Sequence, residues 1–349
     1  MITIAIDAMG GDAGLKATIP GALNALDNHH DLKLILVGIE DQVRASLAQF
    51  KNIHHERIEI QNATEVVAMD ELPSQALRSK KDSSMRVAIN LVKEGRAAAC
   101  VSSGNTGALM ATSRFVLKMI PGIDRPAIIY GIPGVNPQTK KSTLSQMLDL
   151  GANIECSAQH LFEFALMGSV RASFVNHIAK PRVALLNIGE EEMKGLDNIK
   201  DAAKMLSDCP AINYIGFVEG NDLFWDKADV IVCDGFIGNI ALKTMEGTAK
   251  FISSVVKQSF TSSVVSKLQG ILSFMVLRNI KSRLDVRQYN GASLLGLKGI
   301  VIKSHGGADS ISFASAIEAA MKEVREDLPT KIHAQIEQIL GPENHEDPN

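Results

Sequence analysis

The sequence predicts an α/β fold, a largely parallel sheet with helices on both faces. Two observations carry this. Short apolar, β-branched runs alternate with helix-length runs along most of the chain. Several of the apolar runs end in Gly-rich loops that lead straight into a helix, as strand–helix units do. With 349 residues, 46% of them apolar, the chain is not short of core. A chain of this size buries about 75% of the surface its unfolded form exposes.

Ile2–Ala8 is the first strand, followed by the bend Met9-Gly10-Gly11-Asp12 and a helix around Leu15–Leu26. Leu32–Gly38 is the second strand, Asp41–Phe50 the next helix and Arg57–Gln61 the third strand. Ligands of parallel sheets sit at the carboxyl ends of strands, so Asp7 is a candidate site residue there. A turn-capping aspartate accounts for it equally. Pro73–Asn90 carries Arg78, Lys80 and Lys81 ahead of Asp82-Ser83-Ser84, a helix N-cap group. The cations make either a rim for an anionic substrate or a solvated face.

Ala97–Ser102 and the loop Ser103-Gly104-Asn105-Thr106-Gly107 read as strand, tight loop and helix start. Free helix-terminal amides beside Ser, Asn and Thr donors suit an anion, phosphate above all. An ordinary capped turn has the same sequence. Both Gly-Lys-Ser/Thr and Gly-x-Gly-x-x-Gly are missing, so this is neither a Walker loop nor a dinucleotide fingerprint.

Ala127–Tyr130 and Ser142–Leu148 follow as strands around the turn Pro133–Pro137, a hairpin or β-arm. The second ends in Asp149-Leu150-Gly151-Ala152-Asn153, where Asn153 either donates to a carbonyl or caps the next helix. Arg182–Ile188 leads to Lys194, which binds phosphate as a point charge or pairs with Glu190 or Glu191. Asn213–Glu219 and Asp229–Val232 are strands. The latter runs through Asp234-Gly235-Phe236-Ile237-Gly238-Asn239 into a helix from Ile240 to about Val256, with an Asn at the helix start. Gly299–Ser304 ends at His305-Gly306-Gly307, where the histidine handles protons or is structural.

Gly247–Leu284 has no acidic residue and carries Lys250, Lys257, Lys267, Arg278, Lys281 and Arg283. Phe260, Val264, Leu268, Ile271 and Met275 recur at helical spacing, and Gly270 is placed to divide a helical hairpin, with Leu277, Ile280 and Leu284 on the second arm. Such a basic amphipathic arm meets an anionic membrane surface or packs in a dimer interface. The tail from about Gly341 is polar and expected to be disordered.

The net charge of −3 gives no global attraction to nucleic acid or lipid. Cys100, Cys156, Cys209 and Cys233 are far apart without a Cys-x-x-Cys pair, as expected of reduced thiols in a cytoplasmic protein. The chain opens directly on a strand, so no signal peptide is expected. No apolar run reaches about 18 residues, so no membrane span is expected.

Taken in order, Asp7-Ala8-Met9-Gly10-Gly11-Asp12, Ser103-Gly104-Asn105-Thr106-Gly107-Ala108, Asp149-x-Gly151-Ala152-Asn153, Asn187-Ile188-Gly189-Glu190-x-x-x-Lys194-Gly195, Asp234-Gly235-Phe236-x-Gly238-Asn239, Gly291-Ala292-x-Leu294-Leu295-Gly296 and His305-Gly306 resemble one family. It is the bacterial phosphate acyltransferase family of phospholipid synthesis, the acyl-carrier-protein:phosphate transacylases. The resemblance covers about residues 1–326, and Ser103 stands where that family usually has Ala. It implies a three-layer α/β/α, doubly wound, mostly parallel sheet, akin to phosphotransacetylases and isopropylmalate dehydrogenases. The arm, about 255–285, would protrude from a single catalytic domain over 1–328, with a C-terminal helix and polar tail over 329–349.

The resemblance further implies a homodimer that converts long-chain acyl-carrier protein and inorganic phosphate to acyl phosphate and free carrier protein. The product would feed a membrane glycerol-3-phosphate acyltransferase, placing the protein in the cytoplasm, peripheral to the inner face of the membrane. No cofactor, metal or nucleic acid is expected. Phosphate is already anionic and a thiolate of pKa roughly 8.5 leaves readily, so positioning and oxyanion stabilisation suffice. On this view Ser103, Gly104, Asn105 and Thr106 hold phosphate with Lys194. Asn239, with Gly238 and Asn153 beside it, meets the thioester oxyanion, and His305 is a proton donor. Asp7, Arg78 and Lys80 bind substrate, the two cations docking the acidic carrier protein, and Phe260, Val264, Lys267 and Leu268 contact the membrane. The rival readings are a phosphotransacetylase acting on short acyl-coenzyme A, a β-decarboxylating dehydrogenase and a non-catalytic membrane scaffold.

Overall fold

A computed structural model describes residues 1–51, 53–283 and 290–341. Leu284 and Asp285 of the expected arm, the side chain of Ile280, and the tail beyond Gly341 lie outside the described residues.

In chain order the elements are β1 (Ile2–Asp7), α1 (Leu15–Asn28), β2 (Leu32–Gly38), α2 (Glu40–Leu47), β3 (Ile58–Asn62), α3 (Pro73–Ser79), α4 (Ser84–Lys93), β4 (Ala99–Ser102), α5 (Thr106–Leu117), β5 (Ala127–Val135), β6 (Ser142–Leu148) and α6 (Ala158–Phe174). There follow β7 (Val183–Leu186), α7 (Asp197–Ser207), β8 (Tyr214–Val218), β9 (Val230–Val232), α8 (Gly235–Thr261), α9 (Val264–Leu272), α10 (Phe274–Arg283), β10 (Ala292–Leu295), β11 (Ile300–Lys303), α11 (Ser310–Arg325) and α12 (Leu328–Leu340). Among the described residues the strands form one sheet in the order β3-β2-β1-β4-β11-β10-β5-β6-β9-β7-β8.

Period-2 alternation sends successive side chains to opposite faces. Ile4, Ile6, Leu34, Leu36, Val101 and Ile302 meet α1 and α11 on one side. Ala5, Ile35, Val37, Cys100 and Val301 meet α4 and α5 on the other. Burial on both faces explains why these strands read as nearly unbroken apolar runs. Across β6, β7 and β9 the division repeats. Leu148, Leu185, Val230 and Val232 face α6, α7 and α12, while Met147, Leu186 and Ile231 face the start of α8. This is a three-layer α/β/α fold.

The register decides where strand ends meet. β3, β2, β1, β4 and β11 are mutually parallel, and so are β6, β9, β7 and β8. The two sets are joined by β10 and β5 through three antiparallel pairings. β5 pairs with β10 at Ala127–Ile129 and with β6 at Tyr130–Val135. Ala292 stands opposite Lys303 at the carboxyl end of β11, and Tyr130 opposite Met147 near the carboxyl end of β6. The carboxyl ends of both parallel sets therefore converge on the middle of β5.

A buried network ties this junction. Arg171 of α6 donates to Glu323 of α11 at 2.7 Å and to Gln146 of β6 at 2.6 Å, and Ser293 of β10 donates to Glu323 at 2.8 Å. Glu323 is 1% exposed and Arg171 8%.

Several expectations are corrected. Asp234 caps α8 by accepting from Ile237 N, so Asn239 lies in the second turn rather than at the helix start. Gly270 sits inside α9 against Phe260, and the breaks fall at Ser262–Ser263, where Ser263 caps α9, and at Ser273. Serine hydroxyls that bond nearby backbone supply the break that glycine was expected to give. The helix after Asn153 is capped by Ser157. β10 was not expected as a strand: only four residues long, it gave no alternation to read.

Replacing Glu323 with Ala leaves the Arg171 guanidinium buried without its counter-charge. The expected loss is about 3–5 kcal/mol of stability, read as a lowered urea midpoint with Arg171→Ala as the comparison.

Candidate active site

At the first edge, Asp7 ends β1 as a buried carboxylate. It accepts from the hydroxyls of Ser84 and Ser102, each at 2.6 Å. Burial raises its pKa, against the lowering effect of these hydrogen bonds and of Lys303. Asp7 therefore knits β1, β4 and the start of α4 together, as a structural carboxylate does. A Cβ at Gly10 would lie 2.7 Å from Asp7 Oδ2 and 2.8 Å from Gly104 N, so only glycine allows the two loops this approach.

The Ser103–Thr106 loop is the strand-to-helix turn that the sequence predicts. Gly104 N donates to Ser102 Oγ at 3.0 Å, and Asn105 caps α5 by accepting from Ala108 N at 3.0 Å. The Asn105 amide group also donates to the carbonyls of Met69 (2.8 Å) and Glu71 (2.9 Å), fastening the loop to the segment before α3. No described residue accepts from the backbone amides of Asn105, Thr106 or Gly107. These are the unfilled donors of a helix start, where anions are stabilised.

Sequence reasoning passed over Lys303. It ends β11 at only 8% exposure, and its ammonium donates to the carbonyls of Ser103 (3.0 Å) and Ser304. Burial pulls its pKa down to about 8, opposed by Asp7 and Asp12. The available signal was a lysine closing the run Ile300-Val301-Ile302, where a buried charge needs a reason. His305 follows, exposed, with Nδ1 accepting from Gly307 N at 3.1 Å, so in the neutral ring Nε2 carries the proton. Desolvation lowers its pKa, with Lys243, Lys303 and Lys250 adding and Glu246 opposing. The ring is thus mostly neutral at pH 7, a hydrogen-bond donor rather than a strong acid.

At the second edge, Asp149 mirrors Asp7. Its carboxylate accepts from Ile128 N (2.9 Å), Ala152 N (3.1 Å), Asn153 N (2.7 Å) and Asn153 Nδ2 (2.9 Å). Burial raises its pKa against these bonds. Asn153 Nδ2 also donates to Pro126 O at 2.8 Å, so both amide hydrogens are spent within the protein. The expected role of Asn153 as donor to a substrate carbonyl gives way to a structural one. Gly238 packs so tightly on the Asp149 carbonyl that a Cβ would overlap it. Asn239 is exposed beside Gly151, whose Cβ position is 3.5 Å from the Asn239 Cβ.

Helix α8 connects the edges. It starts at the end of β9, and its Lys243, Glu246 and Lys250 act electrostatically on His305, with Lys243 acting on Lys303 as well. Asp7, the Ser103–Thr106 loop, Lys303 and His305 thus share one edge, with Gly238 and Asn239 at the other. Lys194 stands after β7, exposed and paired with Glu191 at 2.8 Å, which raises its pKa. Arg78 is exposed at the end of α3, and Lys80 lies 3.9 Å from Glu65. No hydrogen bond or ion pair among the described residues joins the side chain of Lys194, Arg78 or Lys80 to either edge.

The architecture is shared with solved phosphotransacylases. The chain superposes on a phosphotransacetylase from Streptococcus pyogenes with a TM-score of 0.63 at 17% identity, covering 93% of this chain and 94% of that one. A branched-chain phosphotransacylase from Enterococcus faecalis gives 0.57 at 13% identity, covering 93% and 100%. These likenesses establish the fold. Residues 2–331 match the family model described as fatty acid synthesis protein. Proteins named phosphate acyltransferase from Legionella pneumophila (strain Paris) and Alkalilimnicola ehrlichii are 52% and 54% identical over 340 residues, 97% of this chain and 98% and 97% of theirs. The chain belongs to this phosphate acyltransferase family and is an enzyme of that type.

Asn105→Ala removes the α5 cap and two tethers. It should cost about 1–2 kcal/mol for the cap alone and speed proteolytic nicking in the exposed stretch 69–72, measured by thermal denaturation and limited digestion.

Proposed function

We propose that this enzyme transfers a long-chain acyl group from the thioester of acyl-carrier protein to inorganic phosphate. A phosphate oxygen adds to the thioester carbonyl, the resulting oxyanion collapses, and the C–S bond breaks. Acyl phosphate is released, and the departing thiolate takes a proton to give the free carrier protein. The observation that carries this reading is the 52–54% identity to phosphate acyltransferases over nearly the whole chain.

The loop amides of Asn105, Thr106 and Gly107 support a phosphate site. Asn239, exposed in the second turn of α8, supports a donor for the oxyanion, with the Nε2–H of His305 as a further donor. Lys194 is assigned as the phosphate-binding cation beside the loop amides. It would have to leave Glu191, an exposed pair worth little, to act there.

The long-chain assignment draws on the arm. α8, α9 and α10 expose Phe251, Ile252, Val264, Leu268, Leu272 and Met275. Exposed Lys250, Lys257 and Lys267 lie among them, and Phe260 is half-buried against Gly270. We assign this arm to an anionic membrane surface or to a twin subunit in a homodimer, with Arg78 and Lys80 at the carrier-protein dock. No helix of the described residues is long and apolar enough to cross a membrane. Peripheral attachment from the cytoplasmic side, delivering acyl phosphate to a membrane glycerol-3-phosphate acyltransferase, fits such an arm. The second reading, a phosphotransacetylase acting on short acyl-coenzyme A, is favoured only by the fold.

Palmitoyl-carrier protein incubated with phosphate should yield acyl phosphate, and without phosphate should not. Acetyl-coenzyme A as the better donor would reverse the assignment. Asn239→Ala should lower kcat by about 10²–10³, the loss typical of one oxyanion donor, in the same assay. Leu268→Glu should weaken sedimentation with anionic phospholipid vesicles while leaving turnover of soluble substrate intact, and unchanged sedimentation would rule that face out.

A further inference from the structure

We propose that Lys303 is a positioning residue for the anion site: its buried ammonium holds the Ser103 carbonyl and supplies the positive charge that lets an anion settle on the free amides of Asn105, Thr106 and Gly107. The inference rests on the reading of this loop as the phosphate site.

Three observations converge on it. Lys303 is more than nine-tenths buried, yet no described carboxylate forms an ion pair with it, and its described acceptors are two backbone carbonyls. Burying an ammonium without a paired carboxylate is costly unless the charge is used. One of those carbonyls belongs to Ser103, the first residue of the loop. The ammonium therefore touches the segment that presents the free amides, and its field reaches whatever they hold.

The local charge balance gives the lysine its task. The groups facing it are Asp7 from β1, Asp12 from the following bend, Lys243 from α8 and His305 from its own strand end. Two carboxylates at this edge oppose an anion. Helix-terminal amides alone contribute only modestly against them. With Lys303 charged the balance favours the anion, and with Lys303 neutral it does not. Sulfate is the probe of choice, because it stays a dianion where phosphate changes its own charge. Across the same range neither His305 nor Cys100 accounts for a loss of affinity. His305 titrates below its ordinary value, burial pushes the Cys100 thiol well up, and Glu191 keeps Lys194 charged.

With the ammonium titrating near pH 8, sulfate affinity of the intact protein should fall about tenfold between pH 7 and pH 9, measured by titration calorimetry. Lys303→Met should bind sulfate at pH 7 as weakly as wild type does at pH 9, with no pH dependence. Lys303→Arg should hold the pH 7 affinity at pH 9. Wild-type affinity that is flat with pH, absent at both pH values, or equally pH-dependent in Lys303→Met overturns the proposal, and the wild-type measurement stands even where a variant fails to fold. Acyl phosphate formation alongside flat sulfate binding removes Lys303 and leaves the reaction. A tenfold fall in sulfate binding without acyl phosphate formation removes the reaction and leaves Lys303 at an anion site.

Discussion

A carboxylate taken out of water must be hydrogen-bonded from several sides, and Asp7 and Asp149 impose that demand on the loops at the two strand-end edges. Asp7 draws in hydroxyls from the start of α4 and the end of β4. Asp149 draws in four N–H groups from β5 and the 152–153 turn. Hydrogen bonds to a charged group contribute about 1.5–3 kcal/mol each. Each aspartate thus fixes segments that are far apart in sequence. The glycines nearby follow from the same demand, because Gly10, Gly235 and Gly238 bring backbone where a Cβ would collide with one aspartate or the other.

The halves of the sheet face each other because of β5. Its first residues complete one half and its last residues the other, so one strand carries both registers. Three antiparallel pairings in succession, β11–β10, β10–β5 and β5–β6, turn the second parallel set over, and its carboxyl ends come back towards those of the first. Two separate half-sheets would leave their strand-end loops on unrelated surfaces. Arg171, Glu323, Gln146 and Ser293 reinforce this junction with buried polar contacts that hold only in one relative placement.

Much of this was legible in sequence. β2 and β6 run over the expected residues: β2 is apolar except for Lys33, and β6 closes on the apolar pair Met147-Leu148 ahead of the Asp149–Asn153 turn. The Ser103–Thr106 loop was legible because Gly and Asn at a strand end leave few alternatives. What escaped were facts of tertiary partnership. Nothing local distinguishes an asparagine that binds substrate from one that, like Asn153, spends its amide on Pro126 and Asp149. The same holds for Lys303, whose surroundings come from β1, β4 and α8. Local chemistry also competed with composition in the arm, where Ser263 capped the start of a new helix and Gly270 broke none.

Helix α8 bears on how the site and the arm relate. It begins at the Asp234 cap, carries Asn239 one turn later, passes His305 with Lys243 and Glu246, and runs on to Thr261. At 1.5 Å per residue its 27 residues span about 40 Å. An unbroken helix moves as a rod more readily than it bends, since bending sacrifices backbone hydrogen bonds. Only Gly235 and Gly238 of this helix are buried, so its anchorage lies at its N-terminal end. On the proposed reading, force on the exposed apolar end would be carried along the rod to the turn that holds Asn239. Coupling of surface attachment to the proposed oxyanion donor would then need no chain of side-chain contacts, because the connecting element is the helix itself.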